Sequence, residues 1–329
     1  MRWIIRRTLR MILSIYGVTA LTFFIIRLMP GDPVSYLIYY YVETLDWSPE
    51  MAYLAVQDLM GYNPREHMFK QFLDYMINLH KGDLGKSIIF NKVPVIEIIA
   101  ARLPWTAFIL SISISLSFLI GILVGTLAAY RRGSSLDSFM SFFSTVMRAI
   151  PSYIIAFLFM LLLCFRIPIF PYGGAYAPGI KPGFTLAFIF SIFHYAALPI
   201  LSFVSVNFAT WALAMRSSVL DVLGEDYVMF AEARGLHKRR IMLSYVGRNA
   251  ILPLFTSLAI VMGGMFGGST FIETVFTYPG IGWLLGLCIN ARDYTVMQGC
   301  FLIMTITTIL SNFISDLLYG KLDPRIRLK

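Results

Sequence analysis

Charge is scarce in this chain. Asp, Glu, Lys and Arg make up 14% of its 329 residues, against about a quarter in an average soluble domain. At a mean hydropathy of +0.73, too little polar surface remains to cover two soluble globules. Length alone would suggest about two such domains, and composition overrides that prior in favour of a bilayer protein. Cysteine is also scarce: Cys164, Cys288 and Cys300 lie singly in apolar segments. They make neither a disulfide framework nor a CxxC metal site, and read as small buried hydrophobes. The four histidines, His67, His80, His194 and His237, show no HExxH pairing, so an intramembrane metalloprotease is disfavoured. Gly85-Lys86-Ser87 resembles the end of a phosphate loop, but His80 stands where a Walker A loop needs its first glycine. No nucleophile–base arrangement can be read from the sequence.

Long apolar runs are abundant. A transmembrane helix needs ~20 mostly apolar residues, and six segments qualify: Met11–Met29, Trp105–Tyr130, Ser138–Phe165, Leu186–Met215, Ala250–Phe271 and Tyr294–Tyr319. The first follows Arg2, Arg6, Arg7 and Arg10 and ends in Arg27-Leu28-Met29-Pro30. It lacks the small residues of a cleavage site and reads as an uncleaved anchor. With the N-terminus inside, the cytoplasmic pieces 1–10, 131–137, 216–248 and 320–329 carry a net charge of +10. The external pieces 30–104, 166–183 and 273–293 carry −2. Basic residues accumulate on the cytoplasmic side, so both termini are expected there. The chain's +9 therefore reports orientation, and nucleic-acid binding drops out.

The predicted architecture is all-α, with a first span in 1–30 and an external segment 31–104 of short helices around 48–60 and 64–79. A five-span core over 105–319 contains the charged loop 216–248, and 320–329 forms a short tail. Pro151, Pro199 and Pro253 permit bends within or beside spans. Gly121/Gly125, Gly263/Gly267 and Gly264/Gly268 have the spacing that lets helix backbones approach closely.

In the 216–248 loop, Glu225 and Asp226 occupy the first turn of a short helix and Arg234 the last, as the helix dipole favours. Gly235 stands where a left-handed C-terminal cap is expected. Tyr227, Phe230, Ala231 and Arg234 share one face by helical spacing, continued by Leu220 and Leu223. Such a knob suits a groove on a partner. Equally, the loop could lie on lipid headgroups through Lys238, Arg239 and Arg240.

Six strings occur in order along the chain. They are Met29-Pro30-Gly31-Asp32-Pro33; Gly82-Asp83-Leu84-Gly85; Arg216 to Leu220 with Asp226-Tyr227-Val228, Ala231 to Gly235 and Arg248 to Pro253; Glu273 to Phe276 with Pro279-Gly280; Arg292-Asp293-Tyr294; and Asp323 to Arg327. Together they resemble permeases of ATP-binding-cassette (ABC) importers, specifically the first transmembrane subunit of the oligopeptide/dipeptide branch. Met229 and Phe230 depart from the Glu-Ala-Ala start of the general permease motif, and the Gly235–Pro253 interval is long, as in the peptide branch.

The resemblance implies a type I (MetI-like) importer fold and a non-catalytic permease in a prokaryotic inner membrane. Its partners would be a second permease, two ATPases holding ATP and Mg, and an external substrate-binding protein; this chain would hold no cofactor. The ATPase-coupling helix would comprise Glu225, Asp226, Tyr227, Phe230, Ala231, Glu232, Ala233, Arg234, Gly235 and Leu236. Short peptides are the expected cargo, with oligosaccharides or nickel complexes as alternatives in the same class. A stand-alone secondary transporter would call for paired intramembrane carboxylates, and only Asp316 lies inside a span. For the translocation path, Arg148, expected ten residues into the third span, is one candidate, since an arginine at that depth costs on the order of 3 kcal/mol unless it faces a cavity or partner. Asn207 is the second, weaker one, and His194 and Glu273 read as structural.

Overall fold

The computed structural model describes residues 2–29, 33–60, 63 and 66–322. Fourteen α-helical elements are found among them, with no strand beyond an isolated bridge between Lys86 and Pro94. Residues 30–32 of the first string and all of the last, 323–327, lie outside the described residues, as do the surroundings of Gly263, Gly264, Gly267 and Gly268 and the side chain of Asp316.

The helices are α1 (Arg2–Arg27), α2 (Pro33–Leu45), α3 (Pro49–Met60), α4 (Met68–His80), α5 (Val95–Tyr130), α6 (Ser135–Ala149) and α7 (Ser152–Met160). They continue as α8 (Leu186–Leu223), α9 (Asp226–Ala233), α10 (Lys238–Arg240), α11 (Arg248–Ala250), α12 (Leu252–Val275), α13 (Ile281–Ala291) and α14 (Tyr294–Leu322). Wider π-helical turns follow α7 (Leu161–Arg166) and α10 (Ile241–Gly247).

Four helices are individually long and apolar enough to cross a membrane: α1 from Ile5, α5, α8, and α14 as far as Ile314. A fifth is added if the Ser135–Ala149 and Ser152–Arg166 segments are taken as one span. These segments differ most from expectation. The sequence predicts one third span, Ser138–Phe165, in which Pro151 permits a bend, and the chain turns by 92° between the two segments. Pro151 is the cause. Its ring disfavours helical backbone at the residue before it, and Ile150 is extended at φ −88°, ψ 124°. The expected 250–271 segment forms the 24-residue α12, with Pro253 in its first turn, where the missing N–H has no intrahelical acceptor to lose. Pro199 lies inside α8 without ending it.

By contacts the chain forms two compact units, Met1–Thr106 with Pro279–Phe313, and Ala107–Tyr278 with Ile314–Lys329. In the first unit, Val95 and Ile99 of α5 are buried with Leu284 and Cys288 of α13 and Met297 and Cys300 of α14. Burial pushes the Cys288 thiol up to about 12, helped by the negative charge of Asp293, which leaves it an inert core side chain. In the second unit, Gly121 and Gly125 let α5 lie directly on α8. A Cβ at Gly121 would collide with Trp211, and one at Gly125 with the Ala212 carbonyl.

Candidate functional site: the platform between α8 and α12

α8 continues eight residues past the expected end of its span and stops at Leu223. Gly224 and Glu225 turn the chain into α9, whose first backbone N–H groups bond to the Glu225 carbonyl: Val228 N at 3.0 Å and Met229 N at 3.3 Å. At the other end, Gly235 adopts φ +68°. Its N–H donates to the Glu232 carbonyl at 2.8 Å, and Leu236 N–H reaches back to Ala231 at 3.3 Å. This pair of bonds is a Schellman motif. A Cβ at Gly235 would meet nothing within 4 Å, so backbone conformation alone explains the glycine.

Two side chains anchor α9. Val228 and Ala231 are buried with Val219 of α8, Ile241 and Val246 of the π-helical turn, and Leu254 of α12; Leu220, Leu223 and Leu236 pack at the edge. Burying the valine contributes about 1.5–3 kcal/mol. The remaining residues point outward. Phe230 is 71% exposed, Met229 54% and Tyr227 39%, and Glu225, Asp226, Glu232, Ala233, Arg234 and Gly235 are exposed as well. Ala231 therefore leaves the face predicted for it and joins the anchor. Val228 and Ala231 stand at i and i+3, neighbours on one helix face, and that face lies on the cluster formed by α8, the π-helical turn and α12.

Three polar contacts brace this arrangement, and none was visible in the local pattern. Asn249 Nδ2 donates to the Tyr227 hydroxyl at 3.0 Å and to the Tyr245 carbonyl at 2.8 Å. Ser218 Oγ donates to the Ala250 carbonyl at 2.7 Å, tying α8 to α11. Arg216 grips Asp137 with two bonds, Nε to Oδ1 at 2.7 Å and Nη2 to Oδ2 at 3.0 Å. Asp137 is 5% exposed and also accepts from Gly133 N–H at 3.1 Å. The planar fork fixes the start of α6 against α8. Only the separation in sequence hid this pair.

The translocation candidates lie on α6 and α8. Arg148 is exposed in the last turn of α6, where a cation suits the helix dipole, immediately before the 92° bend. It is thus at a helix end and not midway along a straight span. Asn207 is half-buried, and its amide donates to the Phe203 carbonyl one turn earlier at 2.8 Å. His194 stacks among Phe170 and Phe190, and Glu273 is fully buried near the end of α12.

Two of the six strings acquire a physical role in the first unit. Asp83 accepts from Gly85 N–H at 2.8 Å, and Gly85 turns at φ +80°. The following loop is gathered by Asp293, which is fully buried. Its Oδ2 accepts from Ser87 Oγ at 2.5 Å, Ile88 N–H at 2.8 Å and Ile89 N–H at 3.2 Å. Oδ1 accepts from Val296 N–H at 3.2 Å, capping α14 as an N-terminal Asp does. Thr295 Oγ1 donates to the Lys86 carbonyl at 2.7 Å.

Residues 121–328 match the family model of binding-protein-dependent transport system inner membrane components. The oligopeptide transport system permease protein AppB of Bacillus subtilis is 33% identical over 325 residues, covering 98% of each chain. The di/tripeptide transport system permease protein DppB of Pseudomonas aeruginosa is 33% identical over 345 residues, covering 99% of this chain and 98% of the relative. The dipeptide permease DppB of Escherichia coli K12 is 31% identical over 347 residues, covering 100% and 99%. An all-helical chain with several bilayer-length helices, similar from end to end to these permeases, belongs to the family of inner membrane components of binding-protein-dependent transport systems.

Proposed function

We propose that this chain is a peptide-importing permease subunit and that α9 couples it to a cytoplasmic ATPase. The observation that carries the reading is the division of labour within α9. Val228 and Ala231 fix the helix to the ends of α8 and α12, while Tyr227, Met229 and Phe230 stand exposed beyond it. An exposed aromatic cluster on a firmly mounted helix suits insertion into an apolar groove, and a rigid mount transmits displacement to the helices behind it. Relatives named for oligopeptides, dipeptides and tripeptides cover nearly the whole chain and support short peptides as cargo.

In this mechanism the chain makes six crossings with both termini cytoplasmic, supplies half of the path and catalyses no reaction. A second permease supplies the other half. Two ATPases bind ATP and Mg, and an external binding protein delivers the cargo. Closure of the ATPases moves α9, and the spans behind it alternate between inward and outward access. Arg148 and Asn207 would face the path, Arg148 as partner for a peptide carboxylate at the α6–α7 bend.

Co-expression with the candidate partners tests this directly. The expected result is a stable complex of two permeases and two ATPases whose hydrolysis rises on addition of binding protein loaded with a short peptide. Stimulation by a sugar-loaded binding protein and by no peptide would remove the cargo assignment. A chain that transports alone would remove the importer reading.

A further inference from the structure

The basic triplet after α9 has no part in the knob, and two of its members line a separate feature. A groove of about 840 Å³ runs along the C-terminal part of α5 and under the π-helical turn. Its lining combines apolar Leu123, Leu127 and Leu243 with the cations Lys238, Arg239 and Arg248. Leu123 is 70% exposed and Leu243 63%. No acidic residue lines the groove, and among the described residues none forms an ion pair with the three cations.

We infer that this groove binds one anionic phospholipid of the cytoplasmic leaflet, with its phosphate at Lys238, Arg239 and Arg248 and an acyl chain along Leu123 and Leu127. Charge selects the headgroup, since three cations that form no ion pair among the described residues line a groove with no carboxylate. The choice of lipid over a soluble partner comes from depth. Leu123 stands seven residues before the end of α5, ~10 Å along the helix, on a segment long and apolar enough to span the bilayer. A soluble protein surface would not reach that wall, whereas an acyl chain occupies that layer already. Basic pockets between transmembrane helices on the cytoplasmic side hold anionic headgroups in this way.

The site also abuts the coupling platform. Met215 and Met242 line the groove and belong to, or pack against, the cluster that buries Val228 and Ala231. A bound lipid would therefore stiffen the mount on which α9 sits. The inference rests on the cytoplasmic assignment of this loop made under the proposed function.

The test uses the complete transporter in nanodiscs of phosphatidylcholine with or without phosphatidylglycerol, counting retained lipids by native mass spectrometry. The variants are the triple Lys238→Gln/Arg239→Gln/Arg248→Gln, and Leu123→Trp, which blocks the wall. We expect the wild type to retain one tightly held phosphatidylglycerol. The triple variant should lose preference for it on the order of a hundredfold, as three surface cations imply, and Leu123→Trp should lose retention of the lipid. Added inorganic phosphate should not displace it; displacement would assign the three cations to free phosphate and overturn the lipid. Unchanged retention in both variants would also overturn the proposal. So would a cross-link from Leu243→Cys to an ATPase or to the second permease in wild-type-like complexes that carry no lipid. Nanodiscs expose lipid on both faces, so binding is read independently of orientation. Thiol labelling of Leu243→Cys from each side tests the orientation separately, and the Lys238→Arg variant, which keeps the charge, checks a triple variant that fails to assemble.

Discussion

Around residues 82–95 a single buried carboxylate gathers the chain. Asp293 accepts from Ser87, Ile88 and Ile89 and caps α14 with its other oxygen. Around residues 225–236 the chain is held by two small apolar side chains and a glycine cap, and its largest groups, Tyr227, Met229 and Phe230, are left outside. Both are short stretches mounted on helix ends. In the first, the buried Asp293 carboxylate collects the polar groups of Ser87, Ile88 and Ile89 from inside the fold. In the second, apart from the Tyr227 hydroxyl that accepts from Asn249, the side chains that anchor the helix and those it displays belong to different residues. A docking surface needs that separation, because its exposed groups can change without loss of the mount.

The contrast is broken hardest at Asp293. Asp293→Ala leaves the Ser87 hydroxyl and two backbone N–H groups without their acceptor, and each unsatisfied buried group costs about 1–3 kcal/mol. We expect the loss of about 3 kcal/mol or more of stability, read as a lowered unfolding midpoint of the purified permease. Rapid protease cleavage within 82–95 should accompany it. Cleavage as slow as in the wild type would show that apolar packing, and not the carboxylate, holds this loop.

The Arg216–Asp137 pair gives the second region one contact of the first kind. Arg216→Ala strands a carboxylate that is 5% exposed. Breaking a buried pair by removing one partner costs 3–5 kcal/mol, but the arginine side chain is 29% exposed, so about 2 kcal/mol is expected here. Arg216→Lys keeps the charge and loses the fork, and should recover only part of that amount. A double variant with Asp137→Asn that is no worse than Arg216→Ala would confirm that the two residues act on each other.

Much of the second region was legible locally, and little of the first. The ends of α9 and the left-handed Gly235 follow from spacing and cap chemistry within twelve residues. The bilayer-length helices follow from composition. Asp293 looked like one member of a string, because its partners lie about two hundred residues earlier and no periodicity links them. Asp137 and Arg216 are 79 positions apart and were hidden for the same reason. Pro151 was visible as a break, but the size of the turn was not: proline forbids the helical bond without setting the new direction. Ala231 falls on the anchor side because a helix of eight residues chooses its inward face by the surface beneath it, which spacing within the helix does not encode.

Gly235 isolates the backbone contribution to the mount. No side chain crowds it, so Gly235→Ala pays only for a left-handed conformation, ~1–2 kcal/mol. Gly235→Asn should cost less, since Asn tolerates this region. Both are measured by unfolding of the assembled complex. If Gly235→Leu were much worse than Gly235→Ala, the space around the cap would be closed in the complex, as it would be with an ATPase seated against it.

Phe230 is the smallest perturbation of the fold and the sharpest test of the comparison. At 71% exposed, its loss should change stability by no more than about 0.5 kcal/mol, the usual range for surface positions away from structural features. Phe230→Asp should therefore insert, fold and bind lipid normally. If the exposed face is the contact with the ATPase, the new charge meets an apolar groove and must be desolvated there. Binding protein loaded with peptide should then no longer accelerate ATP hydrolysis, while basal hydrolysis by the partners persists. Val228→Asp makes the complementary change on the buried side of the same helix, and should lower the unfolding midpoint before any effect on coupling can be read. Equal effects of the two substitutions on stability would show that α9 has no separate mount and display faces, and normal stimulation in Phe230→Asp would move the docking surface elsewhere.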